Sequence, residues 1–263
     1  RFLEPVYVGD TLAAESVVIG LKENSTGESG VVWVRSTAVN QDDKEVLTWI
    51  RWVMVKKRDR SHAAPKAVVP ETPVFVAPQR PAVPAFLDAR DYETRLTGGP
   101  WLWDDYEVDE RVDHPAGMTL DEPDHTFATR LYQNPARLHF DAHQMRDSGF
   151  GRRLVYGGHV ISICRALSYE GLENALLIAA INGGSHCNPT FAGDTLYTRT
   201  EVLSKWDLPD RADLGALRLR MLGIKNMAAA ELPDPMIDAG GKKKYHPHVV
   251  LDLDYTVLMP RRT

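Results

Sequence analysis

Apolar and polar residues alternate along residues 1–58, a pattern typical of half-buried β-strands. Three stretches rich in Val, Ile, Trp and Thr run from Thr11 to Leu21, from Val31 to Asn40 and from Val46 to Lys57. Turn-forming residues separate them at 23–30 and 40–43. The pattern predicts an antiparallel meander that contains no helix.

A helical pattern begins at the glycine pair Gly157 and Gly158. The apolar positions that follow recur at the spacing of one helix face, from Val160 to Leu167, and Gly171 is the expected C-cap. The pattern predicts a buried helix. Its free N–H groups and the positive end of its dipole should lie at the glycine pair.

Six prolines between Pro65 and Pro84 interrupt both patterns. Proline lacks a backbone N–H and has a fixed φ, so we expect a semi-rigid linker at 61–100, a spacer rather than a ligand for a proline-binding domain.

A second unit begins at Trp101. Thr119 and Glu122 match a capping box and predict a helix from about Leu120 towards Tyr132. Strand patterns are expected at 175–181, 195–203, 216–225 and 249–259, with a long charged turn at 207–213.

An internal repeat decides the expected architecture. The sequence PVYVGDTL at 5–12 recurs as PTFAGDTL at 189–196, and strand patterns follow each copy. Two copies of one antiparallel sheet predict an α+β protein with a partial N-terminal sheet at 1–60 and a complete unit at 101–263. Only four residues precede the first copy, so we expect the natural protein to start earlier, with the first helix in the missing part.

Composition excludes several classes of function. The chain of 263 residues is 43% hydrophobic with a net charge of −5, which gives no electrostatic footprint for nucleic acid. No apolar run approaches the ~20 residues that span a bilayer, and no zinc-type Cys/His spacing or phosphate loop is present. Cys164 and Cys187 are too few for a disulfide framework. We expect a soluble, cytoplasmic protein that binds no metal, membrane or nucleic acid.

The candidate chemistry lies just before the predicted helix. His139 stands in a polar segment with Asn134, Arg137 and Asp141. A histidine supplies acid/base chemistry, and the start of a helix can hold a carbonyl oxygen as negative charge develops on it. Without further information His139 could equally be structural and the glycines a simple turn. The combination predicts an active site.

These residues carry a resemblance to a known family. An H-x-D segment followed by a Gly-led helix resembles the MaoC-like (R)-specific enoyl-CoA hydratases of the hot-dog fold. The likeness covers most of the chain and is carried by the segments RFLEPVYVGDTL, WIRWVMVKKRD, TRLYQNPARLHF, FGRRLVYGGHVIS, IAAINGG and NPTFAGDTLY. The resemblance implies a double hot-dog fold, in which curved antiparallel sheets wrap a long central helix. It also implies a homodimer or a higher homo-oligomer.

The resemblance implies a hydro-lyase that acts on an acyl-CoA thioester and needs no cofactor. The implied reaction is reversible hydration of mesaconyl-CoA to β-methylmalyl-CoA, with itaconyl-CoA or another (R)-enoyl-CoA as alternative substrates. An acyl-CoA thioesterase or a non-catalytic acyl-CoA-binding protein on the same fold also remains possible. A thioesterase usually needs a carboxylate at the helix, and Asn134 argues against that alternative.

Specific roles follow from the resemblance. Gly157 and Gly158 would hold the thioester oxygen, and His139 would transfer protons. Family members typically read D-x-N-P-x-H-x-D, with an Asp five positions before the His; Asn134 stands at that spacing here. An amide cannot act as a general base, so Asn134 is expected to orient the water. Asp141 is expected either to cap a helix or to orient His139.

The basic residues nearby are candidates for binding the substrate. Arg137 is the predicted clamp for the free carboxylate, with Arg152 or Arg153 as second choices. Arg152, Arg153 and Lys225 are candidates for the CoA phosphates. His159, within two positions of the glycine pair, is a candidate substrate contact, whereas His143 and His186 are expected to be structural.

Overall fold

The computed structural model describes residues 1–77 and 82–262 and divides the chain into two compact units, Arg1–Leu87 and Asp88–Thr263. The predicted linker at 61–100 is shared between the two units. Among its prolines, Pro78 and Pro81 lie outside the described residues. No helix in the described ranges is both long and apolar enough to cross a membrane.

The first unit is an antiparallel sheet of three strands in the order β1-β2-β3. The strands are β1 (Ala13–Glu23), β2 (Ser29–Val39) and β3 (Glu45–Lys56), which confirms the predicted meander. Large apolar side chains remain on its surface: Trp52 is 58% exposed and Met54 is 74% exposed.

Part of the predicted linker pairs with the edge of this sheet through an isolated β-bridge. Val68 exchanges two backbone hydrogen bonds with Leu21, at 2.8 and 2.9 Å. The adjacent Gly20 has no side chain, and a Cβ there would lie 2.6 Å from the ring of Pro70. Gly20 therefore gives the proline-rich segment the room to lie along β1.

The second unit is a five-stranded antiparallel sheet with a helix against it. The strand order is β4-β6-β7-β10-β5, so β4 and β5 are the two edges. The elements in chain order are β4 (Arg111–Thr119), α1 (Glu122–Leu131), α2 (Ala142–Met145), α3 (Gly157–Leu167), β5 (Leu177–His186), β6 (Thr195–Leu208), β7 (Arg211–Lys225), the short strands β8 (Met236–Asp238) and β9 (Lys243–Tyr245), and β10 (Val249–Pro260).

Helix α3 lies in the core of the second unit, as its apolar face predicts. Val160, Cys164 and Leu167 pack into one cluster with buried residues of the sheet, including Leu219 and Tyr255. Burial of each such large side chain stabilises the fold by about 1.5–3 kcal/mol. This packing fixes where the first turn of α3 lies.

Three local predictions are wrong. Ser168, rather than Gly171, follows the last residue of α3 as its C-cap, and Gly171 lies in the next turn with φ +88°. Helix α1 starts at Glu122 after Asp121, which makes no side-chain cap, because Thr119, the expected N-cap, ends β4 and bonds to Thr195 Oγ1 at 2.7 Å. The long charged turn expected at 207–213 is a tight hairpin, since β6 continues to Leu208 and β7 starts at Arg211.

The first copy of the repeat, residues 5–12, forms a turn that we call the first repeat turn. Gly9 has φ +101°, a conformation that favours glycine. Asp10 accepts hydrogen bonds from Tyr7 N (2.8 Å) and from Gln41 Nε2 (2.9 Å). Gln41 Oε1 in turn accepts from Thr11 N at 3.1 Å.

The second copy, residues 189–196, forms the second repeat turn with the same bonds. Gly193 has φ +94°. Asp194 accepts from Phe191 N and from Asn226 Nδ2, both at 2.8 Å. Asn226 Oδ1 accepts from Thr195 N at 2.9 Å. The repeated motif is therefore an architectural turn that leads into a strand, as its sequence predicts.

Candidate active site

The segment before α3 folds back on itself and carries His139 to the start of that helix. His139 ends a 3₁₀ turn, Arg137–His139. Leu154 N donates to Leu138 O at 3.0 Å, and Val155 N donates to Thr190 O at 2.9 Å. These two backbone hydrogen bonds tie the residues just before Gly157 to the segment that carries His139 on one side and to Thr190 on the other.

The hydrogen bond of His139 determines which ring nitrogen is available. Its Nδ1 lies 3.1 Å from Leu154 O. A carbonyl oxygen can only accept, so Nδ1 carries the proton in the neutral ring and Nε2 holds a lone pair. The ring packs against Tyr156 with the two ring centroids 5.6 Å apart. His139 is therefore an oriented, half-buried imidazole with a free basic nitrogen.

The start of α3 presents unpaired donors, as predicted. His159 N and Val160 N both donate to Tyr156 O, whereas Gly157 N and Gly158 N have no acceptor among the residues described. A Cβ on Gly158 would lie 2.6–2.8 Å from the ring of Tyr156. Side chains are thus excluded here by close packing, and the two N–H groups remain available to a ligand.

His186, which we expected to be structural, lies at the same helix start. It ends the edge strand β5, and a Cβ on Gly157 would lie 2.7 Å from its Cε1 and 3.0 Å from its Cδ2. Burial of this packed side of the ring lowers the pKa of His186 below its ordinary value of 6.5, and the nearby His139 lowers that pKa further. The other side of the residue is exposed. Two histidines therefore flank Gly157.

The two polar neighbours of His139 in the sequence form local bonds. Asn134 Oδ1 accepts from Ala136 N at 2.9 Å. Asp141 Oδ1 accepts from Gln144 N at 2.9 Å, so Asp141 is the N-cap of α2. No hydrogen bond joins either side chain to His139 within the described ranges. The role of Asn134 in orienting water remains a prediction.

The predicted basic residues differ in how far they are already engaged. Arg153 pairs with Glu122 and donates to Thr126 Oγ1 at 3.2 Å. Arg152 is exposed, and its guanidinium lies 4.0 Å from the centroid of the Phe191 ring. These contacts leave Arg152 better placed than Arg153 to meet a ligand.

The remaining two predicted basic residues, Arg137 and Lys225, also differ in how far protein groups engage them. Arg137 is exposed and has no side-chain partner among the described residues. Lys225 donates to Pro189 O at 2.6 Å and lies 5.9 Å from the centroid of the Phe191 ring. Their roles in binding carboxylate or phosphate stay predictions.

A pocket of about 380 Å³ opens between α1 and the segment that carries His139. Gln133 in its wall has φ +50°, a strained conformation for a residue with a side chain. Two arginines and no carboxylate line the pocket: the lining residues are Thr126, Thr129, Arg130, Gln133, Asn134, Pro135, Phe140 and Arg153. Arg153 already pairs with Glu122, so one of the two positive charges is compensated.

Two further histidines lie behind the site without partners. His125 on α1 is 1% exposed, and neither of its ring nitrogens has a hydrogen bond; the buried Nε2 of His159 has none either. Burial lowers the pKa of both residues. For His125, the neighbouring Arg153 lowers the pKa further. Both rings are therefore held neutral beside the site.

Sequence patterns gave no direct signal for Tyr156, His186 or His125. Each is brought to the candidate site by a contact with a residue distant in sequence or by the direction of its ring. The hint for His186 in the sequence is its position at the end of the strand that precedes the second repeat turn. In the structure, this end of the sheet lies beside the start of α3. In the described part of the chain, no group of three or more His, Cys, Asp or Glu residues could hold a metal ion.

Comparison with known proteins places this geometry in a family. A comparison with models of known protein families finds no match. A β-methylmalyl-CoA dehydratase from Chloroflexus aurantiacus is 53% identical over 262 residues, which is 100% of this chain and 73% of the relative. A mesaconyl-CoA hydratase from Cereibacter sphaeroides is 50% identical over 261 residues, 99% of this chain and 74% of the relative.

Solved structures agree with these relatives. A MaoC domain protein from Chloroflexus aurantiacus superposes with a TM-score of 0.94 at 53% identity, covering 100% of this chain and 74% of that one. A Mycobacterium tuberculosis protein with a double hotdog fold gives a TM-score of 0.64 at 26% identity, covering 99% of this chain and 73% of that one. The chain belongs to the MaoC-like dehydratase family and has its α+β double hot-dog fold, as the sequence resemblance predicted. Its two curated relatives are the β-methylmalyl-CoA dehydratase and the mesaconyl-CoA hydratase.

Proposed function

We propose that this protein is a hydro-lyase that reversibly hydrates mesaconyl-CoA to β-methylmalyl-CoA. The observation that carries the proposal is the identity of 53% and 50% to relatives named for the two directions of this reaction. The geometry supports it, because an oriented imidazole and two unpaired backbone donors meet at the start of α3.

The proposed binding step places the thioester carbonyl oxygen at the N–H groups of Gly157 and Gly158. As the enolate forms, the negative charge on that oxygen increases, so donors fixed by the fold stabilise the transition state more than the bound substrate. Glycine at both positions leaves room for the rings of His186 and Tyr156 to pack beside these donors. The positive end of the helix dipole acts in the same direction.

His139 carries the proton in the proposed chemical step. Its Nε2 takes a proton from water while the water oxygen bonds to the β-carbon and the C=C electron pair moves towards the carbonyl. The enolate then takes that proton back at the α-carbon, which restores neutral His139 and adds one water in total. The hydrogen bond to Leu154 O fixes the ring throughout. The thioester itself acidifies the α-position, so this route needs no metal or redox cofactor.

We propose Arg137 as the clamp for the substrate's free carboxylate, since it is exposed and has no side-chain partner among the described residues. Arg137→Met should reduce turnover of dicarboxylic acyl-CoA substrates and spare crotonyl-CoA, which lacks that group. Arg146→Met, on the nearby end of α2, is the matched control. Equal losses on both substrate types would remove Arg137 from this role.

The assembly and location that we propose are a homodimer or higher homo-oligomer in the cytoplasm, where acyl-CoA substrates occur. The edge strands β4 and β5 offer unpaired backbone groups through which copies could pair. Light scattering of the purified protein would test the assembly, and a monomer at micromolar concentration would contradict it.

A substrate panel tests the reaction. The absorbance of the conjugated enoyl thioester should fall when the protein is mixed with mesaconyl-CoA, and fall more slowly with itaconyl-CoA or crotonyl-CoA. A faster reaction with either of the other two would assign a sister hydratase. Release of free CoA thiol without hydration would assign a thioesterase, and binding without any reaction would assign an acyl-CoA-binding protein.

A further inference from the structure

We propose that His186 is a catalytic residue whose Nε2–H donates to the thioester oxygen together with Gly157 N–H. This inference rests on the proposed function, because it names a further residue at the same site. The thioester oxygen would then be held by one backbone N–H and one imidazole N–H, instead of by two backbone N–H groups.

The geometry comes from the contact between the ring and Gly157. A Cβ built on Gly157 would overlap the Nε2 and Cε1 edge of His186. In an α-helix every Cα–Cβ bond tilts towards the helix N-terminus, the direction in which the first N–H groups also point. The Nε2 edge of His186 therefore lies on the side of the first turn where a bound oxygen would meet Gly157 N.

The hydrogen-bonding state of His186 leaves this nitrogen available. Neither ring nitrogen has a partner among the described residues, although the ring is packed against the helix start. A structural histidine in the same unit looks different: His114 is 1% exposed, with Nδ1 on Glu170 O at 2.8 Å and Nε2 on Thr200 Oγ1 at 2.9 Å. His186 is positioned by packing against Gly157, and the one N–H of its neutral ring is left for a ligand.

The electrostatics suit a donor that stays neutral. Burial and the neighbouring His139 both lower the pKa of His186. A neutral imidazole can donate one hydrogen bond to an enolate oxygen without giving up its proton, so His139 alone carries the proton through the reaction.

Two substitutions separate donation from packing. His186→Phe keeps a planar ring of similar size and removes the donor, whereas His186→Gln keeps an N–H donor and loses the ring. For a donor role we expect His186→Phe to lower kcat on mesaconyl-CoA by about 100-fold or more with little change in KM, as for other oxyanion donors. We expect His186→Gln to recover about tenfold of that loss.

A structural role predicts the reverse order, with His186→Phe near wild type and His186→Gln impaired. His143→Phe, on the exposed face of α2, is the control and should leave kcat unchanged. Thermal melting of each variant shows whether the fold is retained. Wild-type kcat in a folded His186→Phe variant would overturn the inference and leave the hydratase assignment standing.

A binding measurement keeps the two proposals separate if the wild-type protein hydrates none of the enoyl-CoA thioesters. Methylsuccinyl-CoA, the saturated analogue, presents the same carbonyl without the double bond. In ¹⁵N-histidine NMR, its addition should shift the Nε2 signal that His186→Gln removes. That shift without turnover would support the His186 contact and reject the hydratase; no shift would overturn the His186 contact.

Discussion

The two repeat turns are nearly the same structure in two different settings. In each, a glycine with positive φ precedes an aspartate that binds the backbone three residues earlier and a side-chain amide from a later strand connection. The first repeat turn leads into β1, whose first six residues are exposed. The second leads into β6, where the polar Thr198 and Arg199 are among the residues that are fully buried.

The difference lies in what each unit adds around its sheet. The described residues of the first unit contain no α-helix, and Trp52 and Met54 stay exposed. In the second unit α3 packs on the sheet, and the segment before it carries His139 to the start of that helix. The repeat therefore specifies architecture, and the candidate chemistry comes from the residues between β4 and the second repeat turn.

The two units should differ most in how much stability they lose when a large apolar side chain is truncated. Leu219→Ala removes a fully buried side chain beneath α3 and should lower the free energy of unfolding by about 2–5 kcal/mol. Met54→Ala, at a side chain that is 74% exposed, should change it by less than about 0.5 kcal/mol. Hydrogen exchange resolved by mass spectrometry measures each unit separately. Similar losses from both substitutions would contradict the assigned cores.

Gly157→Ala should affect catalysis more than stability. The added Cβ meets the His186 ring, and displacing either group by about 1 Å should reduce kcat by about 10- to 100-fold. Gly183→Ala, in the same strand as His186 but with no atom within 4 Å of the added Cβ, is the matched control. Steady-state kinetics of both variants test this, and full activity of Gly157→Ala would show that the contact has no role.

Acid should destabilise the second unit selectively. Burial lowers the pKa values of His114, His125, His159 and His186 below 6.5, and all four lie in that unit. As the pH falls through 6.5 the unfolded chain binds protons that the folded unit does not, so stability decreases; only well above pH 6.5 do these groups contribute no slope.

Hydrogen exchange between pH 7.5 and 5.5, corrected for the intrinsic rates, measures this effect. Protection of β6 and β7 should decrease relative to β1–β3. The first unit contains one histidine, His62, which is exposed and serves as the internal control. Equal decreases in both units would mean that these buried histidines do not set the response.

The smallest expected effects are at the turns themselves. Asp194→Ala removes two hydrogen bonds of a mostly buried carboxylate and should lower the free energy of unfolding by about 1–2 kcal/mol. Asp10→Ala removes the corresponding two bonds, which are open to solvent so that water replaces them, and should cost less. Chemical denaturation of both variants tests the order, and a larger loss for Asp10→Ala would reverse the comparison.

Strand patterns predicted much of the sheet architecture, because alternation and β-branched residues report local burial. Strand β4 was not predicted, since Asp113, Pro115 and Gly117 interrupt its apolar pattern. The tight hairpin between β6 and β7 was also missed, because its charged residues form ion pairs in the structure: Arg211 pairs with Asp213 within β7, and Asp207 pairs with Arg261 after β10.

The candidate site was only partly predictable. The helix start at Gly157 and Gly158 follows from the apolar spacing behind it, and the sequence resemblance singled out His139. His186 could not be recognised, since it reaches Gly157 through the pairing of β5 with the rest of the sheet. The capping box at Glu122 was misread because Thr119, its expected N-cap, is the last residue of β4 and bonds to Thr195 in the next strand of the sheet.

In the proposed reaction, His139 transfers the proton during hydration at the start of α3. The most direct test follows mesaconyl-CoA absorbance with the wild-type protein, with His139→Ala and with His143→Ala as the matched control. We expect His139→Ala to lose at least about 100-fold in kcat, a typical contribution of a general base, while His143→Ala keeps wild-type activity. Hydration at the wild-type rate by a folded His139→Ala variant would contradict the account.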